Sequence, residues 1–108
     1  MINQENIREV SKKIEVIKSN LMKIGAMRPG SVNEQFKDPK QKTGSYHQLN
    51  YTHKMKTKTE YVRKSQVGQM IKETEEYRIF KGLTDEWVSL SIELSKLRIK
   101  ELKGSRAK

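Results

Sequence analysis

Basic side chains recur at every second position from Lys54 to Lys58, within the segment THKMKTKTEYVRK (Thr52–Lys64). In an extended strand, Lys54, Lys56 and Lys58 point to one face, because successive side chains alternate between the two sides. Ammonium groups at a two-residue repeat lie roughly 6.6–6.8 Å apart, close to the spacing of successive phosphates along a nucleic-acid strand. The spacing therefore predicts a face that binds a polyanion.

Further candidates for this surface surround the lysine repeat. Residues 28–64 contain nine basic and three acidic side chains, a net charge of +6, whereas the whole 108-residue chain carries +10. We predict a nucleic-acid-binding surface formed by Lys54, Lys56, Lys58, Arg63, Lys64, Lys40, Lys42, Arg28 and Tyr46, which Lys37 would extend. Lysines position a protein on phosphates without reading the bases. The alternative is that these lysines only form the solvated face of a hairpin and protect its edge.

Three tyrosines near the lysines, Tyr46, Tyr51 and Tyr61, are candidates for base stacking. Exposed rings beside cations suit a protein that binds a single strand, because every base can stack. A regular strand places Tyr46 and Tyr51 on opposite faces, so these two cannot share a role. The alternative is that the rings pack the sheet against a helix. The scarcity of other large apolar residues favours this packing for at least two of the three.

The chain offers few residues suited to catalysis or metal binding. It contains no cysteine, and its two histidines, His47 and His53, have neither a metal-ligand spacing nor an evident catalytic partner. Asp85 and Glu86 are adjacent in a helical segment and do not converge on one site. The sequence also lacks a glycine-rich phosphate-binding motif. We therefore predict a non-enzymatic protein without a metal or cofactor.

Two apolar stripes predict two helices that pack on each other. The stripes are Ile7, Val10, Ile14, Ile17, Leu21 and Ile24, then Phe80, Leu83, Trp87, Leu90, Leu94 and Leu97, both with intervals of 3, 4, 3, 4 and 3. This heptad spacing is typical of the seam between two helices. Stripes of equal length predict an antiparallel pair within the chain, over roughly 26 Å. The alternative is pairing between two chains, which would give a homodimer.

The remaining pattern predicts an α+β fold. It is a long, antiparallel, coiled-coil-like helical hairpin with a small antiparallel β-hairpin inserted between the helices. The predicted elements of this single domain are a helix over 3–24, a basic connector over 26–45, the β-hairpin over 46–62 and a helix over 65–103 with a kink near Gly82. The hairpin turn lacks an Asn-Gly or Asp-Gly pair, so its register stays open.

Hydropathy places the chain outside the membrane. Hydrophobic residues are 33% of the sequence, against about 45–50% in typical globular domains, so the core must be thin. No apolar run approaches the roughly 18 residues that a membrane-spanning helix needs, and the first residues are polar. We predict a cytoplasmic protein with no membrane partner.

The segments MRPGSVNEQF (Met27–Phe36), GSYHQLNYT (Gly44–Thr52), EYVRK (Glu60–Lys64) and EYRIFKGLTDEWVSLSIELSKLR (Glu76–Arg98) follow one another in the chain. Together they resemble a family of small prokaryotic proteins of unknown function that accompany mobile genetic elements. Family members have a cysteine-containing insertion where this chain has only KDPKQKT (Lys37–Thr43). If family members bind a metal through those cysteines, this chain cannot bind it in the same way. The resemblance implies a mobile-element or phage setting and no established activity.

The same features support two hypotheses about function. The first is a nucleic-acid-binding protein that contacts phosphates through the basic β-hairpin. The second is a protein-binding adaptor or inhibitor that docks on a nucleic-acid-processing complex through its helical or basic surface. The two hypotheses differ in the chemistry of the partner, which is a polyanion in the first and a folded protein in the second.

Overall fold

The computed structural model describes residues 2–106, and the side chains of residues 4–103. In chain order its elements are α1 (Ile2–Leu21), β1 (Ser31–Asp38), β2 (Thr43–His53), β3 (Lys56–Val62), a 3-10 turn (Lys64–Gln66) and α2 (Val67–Arg106). This order confirms the predicted α+β class, with strands inserted between two helices.

The chain divides into two compact units. One unit combines Met1–Lys23 with Phe80–Lys108, and the other is Ile24–Ile79. The physical reason is the length of α2, whose 40 residues span roughly 60 Å. A helix of that length exceeds what one small core can cover, so its first part belongs to one unit and its last part to the other.

The helical unit confirms that the two apolar stripes pair within one chain. Gln4 Nε2 donates a hydrogen bond of 2.9 Å to Glu101 Oε1, which brings the start of α1 beside the end of α2. The ammonium of Lys18 lies 5.5 Å from the ring centroid of Trp87, nearer the other end of the pair. The two helices are therefore antiparallel, as predicted.

The core of the helical unit is thin. Its buried residues are Val10, Ile14, Ile17 and Leu90, and Leu21, Leu83, Trp87, Leu94 and Leu97 pack against them while keeping partial exposure. Helix α1 ends at Leu21, earlier than the predicted residue 24. Its last turn tightens there, because the N–H of Lys23 donates to the carbonyl of Asn20, three residues back. Ile24 thus lies beyond the helix.

The sheet unit contains three strands in the order β1-β2-β3, all antiparallel. The predicted connector over 26–45 is therefore wrong in its central part, where Ser31–Asp38 forms β1. Only Val32 and Phe36 mark this strand as apolar, and the polar Glu34 lies between them on the same face. The local pattern is therefore weak, and pairing with β2, from Ser31↔Asn50 to Asp38↔Thr43, is what makes the segment a strand.

The predicted β-hairpin over 46–62 is confirmed, and β2 begins three residues earlier than predicted, at Thr43. Strands β2 and β3 pair from His47↔Val62 to His53↔Lys56, so the turn between them has two residues. These residues, Lys54 and Met55, have φ values of 52° and 66°. Positive φ at both positions is the geometry of a type I′ turn, formed here without Asn or Gly.

One face of the sheet packs against the first part of α2. Leu49 is fully buried and Val62 is 3% exposed; both lie on this face, because paired residues share a face and side chains alternate. Val62 and Leu49 line a groove with Met70 of α2, and the backbone N–H of Arg28 donates to the carbonyl of Glu73 at 3.0 Å. We call this side of the sheet the packed face.

Helix α2 begins at Val67, after the 3-10 turn, and continues to Arg106 without interruption at Gly82. A Cβ atom added at Gly82 would meet no atom within 4 Å, so close packing does not require glycine there.

Among the residues that the structure describes, no helix is both long enough and apolar enough to cross a membrane.

Truncation of Ile14 to Ala should lower the free energy of unfolding by about 2–5 kcal/mol, because the lost side chain leaves a cavity in a thin core. Ile14 is 7% exposed, whereas Val16 on the same helix is 59% exposed and provides the matched control. Val16→Ala should change stability by less than about 0.5 kcal/mol. Urea unfolding followed by circular dichroism measures both. Equal losses for the two variants would contradict the described helix pairing.

Candidate nucleic-acid interface

Strands β2 and β3 extend past β1 as a two-stranded ribbon. The pairing of β1 with β2 ends at Ser31↔Asn50, and beyond it β2 and β3 form the pairs Tyr51↔Lys58, Thr52↔Thr57 and His53↔Lys56. We call residues 51–58 the arm. All side chains of the arm are exposed except that of Tyr51, which is half-buried. The arm is therefore a solvent-exposed β-hairpin with only two strands.

The charge of the arm has one sign. Lys54, Lys56 and Lys58 are accompanied by His53, and the sequence places no carboxylate within residues 51–58. Glu60 is the next acidic residue along β3. Its Oε2 forms an ion pair with Nη2 of Arg28 at 2.6 Å. The arm thus presents three ammonium groups without a neutralising partner in its own residues.

The prediction that Lys54, Lys56 and Lys58 share one strand face is wrong for Lys54. Lys54 is a residue of the turn, and its left-handed backbone removes it from the alternation of the strand. Lys56 and Lys58 do share a face, the packed face, where they lie opposite His53 and Tyr51. The physical reason is the turn, since a two-residue connection between His53 and Lys56 requires Lys54 and Met55 as its central residues.

Cross-strand hydrogen bonds hold the arm in register on its other face. The hydroxyls of Thr52 and Thr57 lie 2.9 Å apart, and Thr59 Oγ1 donates to Asn50 Oδ1 at 2.8 Å. Such pairs between directly opposed residues stabilise a two-stranded ribbon. We call this side of the sheet the polar face. The lysines of the arm are therefore carried by a frame whose register does not depend on them.

Arg28, predicted as a binding residue, is engaged inside the sheet unit. Its guanidinium forms the ion pair with Glu60 and lies 4.9 Å from the ring centroid of Tyr51. Its backbone N–H donates to Glu73 of α2. Arg28 therefore joins the packed face to the helix, and its charge is balanced by a carboxylate instead of extending the basic surface.

The other predicted cations form a second group at the opposite end of β2. Lys40 and Lys42 lie in the turn between β1 and β2, close to Lys37, while Arg63 and Lys64 follow the end of β3. Asp38 Oδ1 accepts from the backbone N–H groups of Lys40 and Gln41 at 3.2 and 3.3 Å, which shapes the turn. The 11 residues of β2 span roughly 33 Å, so these cations lie apart from the lysines of the arm.

The three tyrosines lie on different faces. Tyr51 is on the packed face, with the guanidinium of Arg28 over its ring. Tyr46 and Tyr61 are on the polar face, and Tyr61 is 68% exposed. The predicted separation of Tyr46 from Tyr51 is confirmed, and Tyr51 alone of the three lies on the packed face. Sequence reasoning missed that Tyr46 and Tyr61 share a face, because this requires the register of β2 and β3.

No group of three or more His, Cys, Asp or Glu side chains within the described part of the chain is arranged to hold a metal ion.

Comparison of the chain with protein-family models, with curated proteins and with solved structures gives no match. The resemblance to a mobile-element family therefore stays a prediction.

Replacing Lys54 and Met55 by Asn and Gly should stabilise the hairpin by about 1 kcal/mol, because Asn-Gly adopts positive φ with less steric cost. Urea unfolding of the double variant measures the gain. Met55→Leu, which keeps a β-carbon at the same strained position, is the control and should bring no gain. A double variant that unfolds at the same or a lower urea concentration than the original chain would contradict the type I′ turn.

Proposed function

We propose that this chain is a non-enzymatic nucleic-acid-binding protein that contacts phosphates through the arm. The observation that carries the proposal is the exposed two-stranded ribbon of residues 51–58, whose lysines have no carboxylate among them. Exposed lysines bind phosphates by releasing condensed counterions. The arm therefore has the charge and accessibility that backbone contacts need.

The shape of the arm also suits a nucleic-acid groove. A two-stranded β-ribbon fits the major groove of a B-form duplex, which is about 12 Å wide. Lys54 and Met55 lead at the tip, and Met55 is 98% exposed. Lys56 and Lys58 follow along one side of the ribbon, where they can reach successive phosphates. These contacts position the protein without specifying bases, so we propose binding with little sequence preference.

The resemblance to proteins that accompany mobile elements supports a phage or mobile-element setting, with the nucleic acid bound in the cytoplasm. In such a setting a small basic protein would act on nucleic acid by occupying it. We propose no reaction in addition to this binding.

Reversal of Lys54, Lys56 and Lys58 to Glu should abolish binding of the chain to a short duplex at moderate salt. In the unmodified chain, log Kobs should fall with log salt concentration with a slope of about −3, as three phosphate contacts require. Fluorescence anisotropy of a labelled duplex over a salt series measures both quantities. The triple variant should show no binding across the moderate-salt part of the series, because the contacts that release counterions are lost.

The matched control changes the net charge equally and leaves the arm intact. Lys12, Lys13 and Lys100 are exposed lysines of the helical unit, and their reversal to Glu removes the same charge. This control should retain most of the affinity and the slope. Undiminished binding by the arm variant, or equal loss in both variants, would overturn the assignment of the arm.

A second candidate function is protein binding through α2, favoured by an apolar groove of about 580 Å³. The groove is lined by Thr84, Trp87, Val88, Ser91, Ile92, Ser95 and Lys96. Val88 and Ile92 are 58% and 52% exposed, so α2 keeps apolar surface beyond the seam with α1. We propose a second copy of the chain as the occupant. In an antiparallel copy, the flanking Asp85 would meet Lys96 of the other protomer, whereas a parallel copy would oppose like charges.

Light scattering should therefore give twice the 12.7 kDa mass of the chain, and Ile92→Asp should return the mass of one chain by placing a charge in the groove. Val16→Asp, at a comparably exposed position on α1, is the control and should leave the dimer intact. A single-chain mass for the unmodified protein at micromolar concentration would overturn self-association and would leave the groove to an adaptor function.

A further inference from the structure

The polar face of the sheet carries two aromatic rings that the fold does not use for its core. Its side chains are Asn33, Gln35, Lys37, Tyr46, Gln48, Asn50, Thr52, Thr57, Thr59 and Tyr61, in addition to Ser31 and the bare Gly44. All of them are described by the structure, and none is a large aliphatic residue. The face thus lacks the aliphatic side chains of a buried sheet face, and the two tyrosine rings are its largest apolar surfaces.

Tyr46 and Tyr61 are diagonal neighbours on adjacent strands. Tyr61 lies opposite Gln48, and Tyr46 is two residues before Gln48 on the same face. Diagonal neighbours in a sheet are about 7–8 Å apart at their Cα atoms, within reach of aromatic side chains. Both rings line a groove of about 540 Å³, whose other lining residues are Lys37, Gly44 and Ser45. The groove has aromatic walls, a cation and no carboxylate.

Gly44 permits the close approach of Lys37 to this groove. Its φ is +72°, and an added Cβ would lie 2.9 Å from Cβ and 3.2 Å from Cγ of Lys37. The aliphatic stem of Lys37 therefore lies across the bare backbone of Gly44, where any larger residue would displace it. This packing keeps the ammonium on the side of the sheet that holds Tyr46.

The charges around the tyrosines distinguish two sides of the site. A smaller groove of about 260 Å³ also touches both rings, and it is lined by Lys64 but also by Glu34, which accepts a 2.8 Å hydrogen bond from Ser45 Oγ. A phosphate would be repelled by Glu34, so the Lys37 groove is the better place for an anionic ligand. The end of β3 lies nearby, where β2 residues 43–46 are paired with β1 alone.

We infer that Tyr46 and Tyr61 form a stacking platform for unpaired bases of a single-stranded nucleic acid, with Lys37 on an adjoining phosphate. Every base has a flat face that can stack on a tyrosine, so the platform would accept a single strand of any sequence. A duplex cannot offer its bases in this way, since they are stacked on one another. This inference rests on the proposed nucleic-acid binding and adds the strandedness of the ligand.

The arm and the platform are separate contacts. His53 follows Tyr46 by seven positions along β2, a distance of roughly 23 Å along the strand. The arm can therefore hold the backbone of a duplex or a single strand, whereas the platform accepts only unpaired bases. A single strand that is long enough to reach both sites should accordingly bind the unmodified chain more tightly than a duplex of equal charge does.

The test compares Tyr46→Ala/Tyr61→Ala with Tyr46→Phe/Tyr61→Phe on an oligothymidine strand, on a strand of abasic sugar phosphates and on a duplex. The Ala variant should bind oligothymidine at least about 5-fold and up to about 100-fold more weakly per lost stacked base. Its affinity for the duplex and for the abasic strand should not change. The Phe variant, which keeps both rings, should bind oligothymidine as the unmodified chain does.

Ring resonances from nuclear magnetic resonance provide a readout that does not require a variant to fold. Titration with oligothymidine should shift the ring signals of Tyr46 and Tyr61 upfield, whereas Tyr51, held under Arg28, should move little. Unaltered Tyr46 and Tyr61 signals, or an equal loss of duplex binding in the Ala variant, would overturn the platform. If the arm governs duplex binding while the Ala variant keeps its single-strand affinity, the platform fails and the proposed function stands. If the unmodified chain binds neither nucleic acid, the proposed function fails.

Discussion

Burial of Leu49 is the constraint on which the sheet unit depends. Leu49 lies at the centre of β2, the strand that is paired on both sides, and it is fully removed from solvent. A slip of one residue in the register would bring Gln48 or Asn50 into that position. It would also move every side chain of the strand to the opposite face of the sheet. The cost of burying an amide without a partner therefore holds the register in place. Through this register, Leu49 decides which side chains face α2 and which face solvent.

The two faces that result have different chemistry. On the packed face, the ion pair of Arg28 with Glu60 and the stacking of Arg28 on Tyr51 occupy one cation, one carboxylate and one ring. On the polar face, hydroxyl and amide groups bond across the strands and leave Tyr46 and Tyr61 as the available rings. The residues that are available to a ligand are thus those that make no packing or ion-pair contact on the packed face. This division is why the structure separates Arg28 from the other basic residues.

The helical unit follows a simpler rule. Its seam is the pair of apolar stripes, and the buried residues Val10, Ile14, Ile17 and Leu90 occupy the middle of it. Two helices alone bury only one side of each, so α2 keeps Val88 and Ile92 exposed next to the seam. The low hydrophobic content of the chain is consistent with so narrow a core. The stripes thus explain both the stability of the helical pair and the apolar surface that remains.

The sequence by itself determined the elements whose signals are local: the heptad stripes of both helices, their antiparallel pairing, the β-hairpin and the concentration of charge around it. The helix predictions succeed because the spacing of apolar side chains along a helix repeats over many residues. Strand β1, the turn position of Lys54, the engagement of Arg28 and the meeting of Tyr46 with Tyr61 were decided only by the tertiary structure. Each depends on strand pairing or on contacts between residues far apart in the chain, and pairing is set by which side chains can be buried together. A polar strand such as Ser31–Asp38 has no strong pattern of its own and becomes a strand only beside β2.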